Sequence, residues 1–463
     1  VLVEAWLPRA AARRPDGEAL STPGGSRSYL QLLHAAARGA GELYRRGVRP
    51  GDRVALELAP GLDFACALHA GMLLGAVAVP VDLRLSAGER DGIAEGCVTR
   101  VQEPLLAGGR ELSDGSLERD VARFAEGARH ELDAPAVVIH TSGTTSSPRP
   151  IELSYGNLLW SALGSAVALG LDPDERWLCT LPVSHVGGLS ILVRSAIYAT
   201  TAVVHERFDT ERVLRALGEE EITLVSVVAT TLARLLDAGL SDPPRLRCAL
   251  TGGGPVPAAL VERARAAGVA VSLTYGLTEA SSQVTTTPAP EARGSGLAAG
   301  APLFCTKVGI ESSEELAPGV GEILVRGPTV ARSGLAPDGW LHTGDLGSLD
   351  EHGRLTVTGR RSETIVSGGE NVSPVEVEAA LESHPQVLEA AVLGVPDAEW
   401  GEAVTALVVP RAGESVAAEA LRAHCALTLA PYKVPKRVTL VAGPLPRTPS
   451  GKLLRRELKQ REQ

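Results

Sequence analysis

Apolar residues fall along the chain in short β-rich runs, each followed by a turn and then by a stretch whose apolar positions recur every three to four residues. Residues 53–58, 76–81, 136–140, 176–181, 201–205, 224–228, 248–251 and 269–274 form the apolar runs. Helical stretches such as 29–47, 210–219 and 230–238 separate them. This alternation predicts α/β layers on parallel strands, with catalytic loops at the carboxyl ends of the strands. Beyond Ser295 the texture changes to short strands among many glycines (308–311, 321–325, 354–358), which predicts a smaller β subdomain. A second change follows Arg361. Strand, helix, strand, strand, helix and strand succeed one another at 363–366, 375–383, 387–395, 404–409, 416–427 and 437–441. That is enough for a compact α+β domain of about 100 residues. The expected division is a large domain over 1–360 and a small mobile one over 361–463, joined near Arg360-Arg361-Ser362.

The length of 463 residues leaves room for this plan and excludes a single small module. With 44% hydrophobic and 22% charged residues the balance is that of a globular chain, and with only 3% aromatics Leu, Val and Ala must fill the core. A formal net charge of −10 argues against nucleic acid as a partner, because phosphate attraction cannot hold the whole molecule. Any polyanion has to meet a local basic patch. One runs from residue 433 to 461, where Lys433, Lys436, Arg437, Arg447, Lys452, Arg455, Arg456, Lys459 and Arg461 face Glu457 alone. Such a run is by itself a solvated face as readily as a site. Cys66, Cys97, Cys179, Cys248, Cys305 and Cys425 form no CxxC pair, which fits free thiols in a reducing cytoplasm. The opening Val1-Leu2-Val3-Glu4 has no signal-peptide pattern. The most apolar segment, 64–81, is broken by His69, Gly71, Gly75 and Pro80 and reads as a buried helix ending near Gly75 and a short strand, not a membrane span.

Chemistry enters with His140-Thr141-Ser142-Gly143-Thr144-Thr145-Ser146-Ser147-Pro148-Arg149, directly after an apolar strand. Hydroxyls, a glycine and exposed backbone N–H groups on such a loop make a concavity for phosphates, although a Ser/Thr-rich loop alone is more often a plain turn. Gly252-Gly253-Gly254-Pro255 follows another strand and lets the backbone approach a flat ligand. Tyr275-Gly276-Leu277-Thr278-Glu279 supplies a ring for a base, a hydroxyl and a carboxylate able to hold Mg²⁺. Leu341-His342-Thr343-Gly344-Asp345 offers a carboxylate for two ribose hydroxyls, and Gly359-Arg360 adds a cation. Each is weak alone, but their order is specific.

In that order, and ending on Lys452 within Arg447-Thr448-Pro449-Ser450-Gly451-Lys452, the chain resembles the acyl-CoA synthetase and luciferase superfamily of adenylate-forming enzymes over nearly its whole length. The resemblance implies ATP, Mg²⁺ and coenzyme A as cofactors, a carboxylic acid as substrate, and Lys452, Glu279, Thr278 and His185 as catalytic residues. It implies that Thr141, Ser142, Gly143, Thr144, Thr145 and Arg149 hold phosphates. Gly252, Gly253, Gly254, Tyr275 and Gly276 would hold the adenine, Thr278 the α-phosphate region, Glu279 the metal, and Asp345 and Arg360 the ribose. Lys452 would sit between the carboxylate and the α-phosphate, where anion meets anion. By analogy with other electrostatic stabilisers its loss should cost on the order of 10²–10³ in rate, or roughly 3–4 kcal/mol. Gly368 and Gly369 would line the tunnel for the pantetheine arm. Trp400, Tyr432 and Lys436 would lie near the CoA nucleotide, which gives the basic run a phosphorylated partner.

The stretch Leu181-Pro182-Val183-Ser184-His185-Val186-Gly187-Gly188-Leu189-Ser190 lies where the superfamily builds its acyl pocket, with Arg194, Ser226, Thr230 and Thr231 nearby. Together with Trp177, Tyr198 and Gly300-Ala301-Pro302-Leu303-Phe304 it resembles the o-succinylbenzoate–CoA ligase branch of menaquinone biosynthesis. That acid carries a second, spectator carboxylate, for which Arg194, with His185, Ser190, Ser226 and Thr231, is a chemically sensible partner. Another acyl- or aryl-CoA ligase, a carrier-protein acyl ligase and an adenylate-binding protein without turnover remain as alternatives, and a homodimer stays open. Ser146, Arg149 and Pro150 depart from the superfamily's usual Gly, Lys and Gly in the phosphate loop, Ser362 from its usual hinge Asp or Lys, and Val434 from a basic CoA contact.

Overall fold

Short apolar runs covered on both faces by amphipathic helices can satisfy their backbone only by pairing with one another, and parallel sheets follow. The computed structural model describes residues 1–105, 116–141, 149–312, 316, 318–448 and 451–461. In one sheet Arg53–Leu56, Val77–Pro80, Thr99–Val101 and Pro135–Thr141 run parallel, and Arg149–Ser154 closes it antiparallel to Pro135–Thr141. The helix Leu62–Leu74 leads into it and stops at Gly75, whose φ of 76° ends a helix without penalty. A nine-stranded sheet has six parallel strands at its centre: Glu18–Thr22, Arg176–Cys179, Thr201–Val204, Leu224–Val227, Cys248–Thr251 and Val271–Leu277. Arg176–Cys179 pairs with Thr201–Val204 on one side and Leu224–Val227 on the other, so the strand order reverses there. Such a reversal opens a crevice at the carboxyl ends of the strands.

The observed bounds differ from the expected ones in a way that matters for the site. Arg176–Cys179 and Leu224–Val227 end early, so Thr180–His185 and Val228 turn off the sheet. Val271–Leu277 instead runs on past Thr274, pairing antiparallel with Ser282–Thr286, so Tyr275 and Gly276 lie on a strand and not in the loop after it. Leu341–Leu349 likewise carries Asp345 inside a strand. Lys307–Ser312, Gly321–Arg326, Leu341–Leu349 and Leu355–Arg360 form the antiparallel β subdomain.

The small C-terminal domain has a five-stranded sheet of Ile365–Ser367, Glu370–Val372, Val387–Asp397, Gly401–Pro410 and Arg437–Leu440. Helices Pro374–Glu382 and Ala418–Ala426 cover one face through Val377, Leu381 and Leu421, which pack on Val392, Val404 and Val408. Arg455–Arg461 covers the other through Leu458, packed on Leu393, Val395 and Leu407. Among the described residues no helix is long and apolar enough to cross a membrane.

Candidate active site

Three strands converge on one carboxylate. Asp345 and Arg360 are register partners on neighbouring strands, and Arg360 Nε donates to Asp345 Oδ1 at 2.8 Å. Tyr275, at the end of the parallel sheet, donates its hydroxyl to Asp345 Oδ2 at 2.9 Å. Burial, with Asp345 next in weight, holds the Tyr275 hydroxyl well above its ordinary pKa, so it remains a donor. The Tyr275 ring packs among Ala280, Val284, Ile323 and Val325, with 9% of the residue exposed. Each Asp345 oxygen keeps a lone pair for a further hydroxyl. A β-carbon at Gly252 would lie 2.7 Å from the Thr274 carbonyl oxygen, so the Gly252-Gly253-Gly254 turn rests directly on the strand that bears Tyr275. Thr278 and Glu279 follow on a single 3₁₀ turn. The Glu279 carboxylate is partly buried, and among the described residues nothing bonds it. A free acid oxygen at that place fits a hard divalent cation. The described group that has metal-ligand spacing, Glu311, Glu322 and His342, lies on the β subdomain and does not include Glu279.

Thr141 and Arg149, at either end of the candidate phosphate loop, are register partners, and Arg149 donates to the Ser333 carbonyl at 3.3 Å. Ser142, Gly143, Thr144 and Thr145 lie outside the described residues.

The acyl-pocket candidates gather at the strand reversal. His185 precedes the helix Val186–Tyr198, and its Nε2 is buried with no partner. Burial holds it below the usual imidazole value, with Asp82 offsetting and Arg84 adding, so it is neutral near pH 7. Arg194 is 2% exposed. Its guanidinium lies 5.6 Å from the Trp177 ring and donates to Ser161 Oγ at 3.0 Å, while Nε has no acceptor. Among the described residues no carboxylate pairs with it. Ser226 Oγ accepts from Trp177 Nε1 at 3.0 Å. Two hydroxyls differ from expectation. Ser190 donates to the Val186 carbonyl of its own helix at 2.5 Å, and Thr231 caps its helix through Val228 N–H at 3.0 Å and Val228 O at 2.9 Å. Small polar side chains near a helix start find backbone partners first.

Lys452 reaches the same place from the small domain. It is solvent-exposed at the rim of a cleft where the surrounding protein, and after it Arg360, holds its pKa below the usual lysine value; Glu363 and Asp345 pull it back. Beside it Gly451 packs on the large domain, where a β-carbon would lie 3.1 Å from Val228 Cγ2. The basic run, in contrast, is mostly not a free surface. Lys433 pairs with Glu376, Arg437 with Asp397, Arg447 with Glu389, Arg455 with Glu363 and Glu378, Lys459 with Glu402, and Arg461 with Glu457. Six of the nine cations expected to face a phosphorylated partner thus have an acidic neighbour of their own. Lys436 stands apart, 4.3 Å over the Trp400 ring. Gly368, at φ 61°, donates its N–H to the Trp400 carbonyl at 2.8 Å, and a β-carbon there would lie 3.0 Å from that indole. Gly368, Gly369, Trp400 and Lys436 thus form a second cluster, while Tyr432 packs into the small domain's core. Ser161 was not singled out from sequence, and Arg447 and Arg455 were named there only as members of the basic run, Arg447 also as the start of the Lys452 motif.

The AMP-binding enzyme family profile matches residues 7–333, and the AMP-binding enzyme C-terminal domain profile matches residues 376–452. The 2-succinylbenzoate–CoA ligase of Bacillus licheniformis is 40% identical over 476 residues, covering 98% of each chain. The o-succinylbenzoate CoA synthetase from Bacillus subtilis, in complex with its acyl-adenylate intermediate, superposes with a TM-score of 0.87 at 36% identity, covering 99% of this chain and 98% of that one. Its complex with ATP and magnesium ion gives 0.87 at 36% identity, covering 99% and 100%. A double mutant of the same synthetase bound to a product analogue gives 0.70 at 35% identity, with coverage again 99% and 98%.

Proposed function

Because the chain belongs to the AMP-binding enzyme family, we propose that it joins o-succinylbenzoate to coenzyme A, with ATP and Mg²⁺, through an acyl-adenylate. Acid and ATP enter the crevice at the strand reversal. The carboxylate oxygen attacks the α-phosphorus and pyrophosphate leaves, with the Lys452 ammonium beside the charge that builds between them. Asp345, held by Tyr275 and Arg360, takes the ribose hydroxyls, and Thr278 the α-phosphate region. Thr141 to Thr145 and Arg149 take the outer phosphates, and Gly252 to Gly254 flank the base. Glu279 would hold Mg²⁺, which when bound neutralises part of the pyrophosphate charge. Holding the reactants in line supplies several kcal/mol, on the order of 7–11 at best.

The second half-reaction uses the other cluster. The CoA thiolate attacks the acyl carbonyl and AMP departs, with Gly368 and Gly369 giving the pantetheine room and Trp400 and Lys436 lying toward the nucleotide. We place the domain junction at Arg360-Arg361-Ser362, between parts 1–360 and 361–463, and infer that the small part turns there between the two steps. The fall in TM-score from 0.87 to 0.70, at unchanged coverage of the chain, supports such a rotation. Lys452 beside Asp345 and Arg360 corresponds to the adenylating arrangement. Six free cysteines support a reducing, cytoplasmic setting.

One observation carries the choice of acid: Arg194 is a buried guanidinium without a carboxylate, and a diacid brings one. The test is pyrophosphate release and mass spectrometry of the CoA product across o-succinylbenzoate, benzoate, a medium-chain fatty acid and acetate. Preference for the diacid, with its KM raised in Arg194→Ala, is expected; an unchanged KM removes Arg194 from the pocket. Lys452→Ala is expected to lose adenylation by on the order of 10²–10³ while still converting supplied acyl-adenylate, and loss of both steps would sink the lysine's assignment.

A further inference from the structure

Arg194 makes one side-chain hydrogen bond, and what lies behind it leads back to the nucleotide side. Its acceptor, Ser161, sits on the helix Tyr155–Leu169 at 2% exposure. A guanidinium can only donate, so the Ser161 oxygen accepts from Arg194 and its single proton is left for another acceptor. That acceptor is the Ser281 carbonyl, at 2.6 Å. Ser281 has φ 55° and Ser282 has φ 96°, two consecutive non-glycine residues in the left-handed region. They form the turn that leaves Thr278 and Glu279, and Ser281 N–H closes it on the Thr278 carbonyl at 3.0 Å. Ser281 Oγ anchors the turn again at the Thr329 carbonyl, 2.8 Å away. Strained backbone of this kind persists only where its surroundings hold it. Ser161 is therefore part of what holds it, and among the described residues it is also the one hydroxyl that the buried Arg194 guanidinium bonds.

We infer that Ser161 is a positioning residue that couples occupancy of the acyl pocket at Arg194 to the placement of Thr278 and Glu279. When a carboxylate reaches Arg194, the guanidinium redirects its donors to the anion. The pull on the Ser161 oxygen changes, and the strength of the Ser161 bond to the Ser281 carbonyl changes with it. A diacid would thus be sensed at the groups that take nucleotide and metal, whereas a monoacid of similar shape would not. The inference rests on the proposed role of Arg194 toward the spectator carboxylate.

The experiment measures KM for Mg·ATP in pyrophosphate release with o-succinylbenzoate and with benzoate, in the wild type, Ser161→Ala, Ser161→Cys, Arg194→Ala and the double variant Ser161→Ala/Arg194→Ala. In the wild type KM for Mg·ATP is expected to be at least threefold lower with the diacid. In Ser161→Ala that difference should vanish and kcat fall about tenfold, while KM for the diacid changes less than threefold. The double variant should then show no further loss in KM for Mg·ATP beyond Arg194→Ala, as expected of two residues acting through one another. Ser161→Cys, nearly isosteric with a weaker donor, should fall between and serves if the alanine variant does not fold. A diacid advantage that survives in a folded Ser161 variant overturns the coupling, as does a wild type without one. An unchanged KM for the diacid in Arg194→Ala overturns the underlying reading instead, and the two failures are distinct.

Discussion

Lys452, exposed at the rim of its cleft, has its charge disfavoured by the surrounding protein and, after it, by Arg360, and favoured by Glu363 and Asp345. A depressed pKa means that the charged form is complete at low pH and is lost as pH rises through that lowered value. The alkaline limb of kcat/KM for adenylation should therefore lie below the ordinary lysine value of about 10.4. Lys452→Arg, whose side chain stays charged to beyond about pH 12, should abolish that limb while lowering the rate; a limb that stays in place belongs to another group. The residues of this cluster were legible because they come in short ordered motifs. Ser161 was not, since a serine within an apolar helix carries no pattern that distinguishes it from packing. Ser190 and Thr231 were legible only as hydroxyls near a pocket, and sequence does not reveal that the nearest backbone carbonyl claims each proton.

The loop that presents Lys452 has its own clamp. Arg447 donates from Nη1 to the Gly451 carbonyl at 2.9 Å and from Nη2 to Glu389 Oε2 at 2.8 Å, while the Lys452 and Thr448 backbones bond each other across the turn. Arg447→Ala leaves the partly buried Glu389 without its cation. The expected loss is about 1–3 kcal/mol of stability, seen in denaturant unfolding, together with a roughly tenfold lower pyrophosphate exchange. Unaltered exchange in the folded variant would show that the clamp does not set the lysine. Elements as a class were legible where the period of apolar residues is clean, as in Cys248–Thr251 and Thr210–Glu219. The pairing of Leu2–Glu4 with Arg129–Glu131 was not, because two three-residue strands far apart in sequence are too short to show a periodicity of their own.

For the molecule as a whole, division into a large and a small domain was legible from the change in texture, and the strand reversal that places the site was not, since it is a matter of strand order. The ion pairs that consume most of the basic run were hidden for the same reason: their acids, such as Glu376, Glu378 and Glu402, lie 57 or more residues away in sequence. Separation of the two clusters makes the half-reactions separable from this side too. Gly368→Ala would press a methyl group to 3.0 Å from Trp400 at an unfavourable φ. It should cut thioester formation about tenfold or more and leave pyrophosphate exchange within about twofold; equal loss of both would place Gly368 outside the thiol path.

The contact of Gly451 with Val228 and Thr230 joins these scales. Val228 follows the strand that bears Ser226, so the residue on which the Gly451 turn rests adjoins the proposed acid pocket. A substitution that enlarges the pocket at this edge would loosen that contact, and a bulkier one would prop the domains apart. On the proposed reading, acid preference and catalytic timing become one variable at this edge, where Trp177 and Ser226 lie on neighbouring strands.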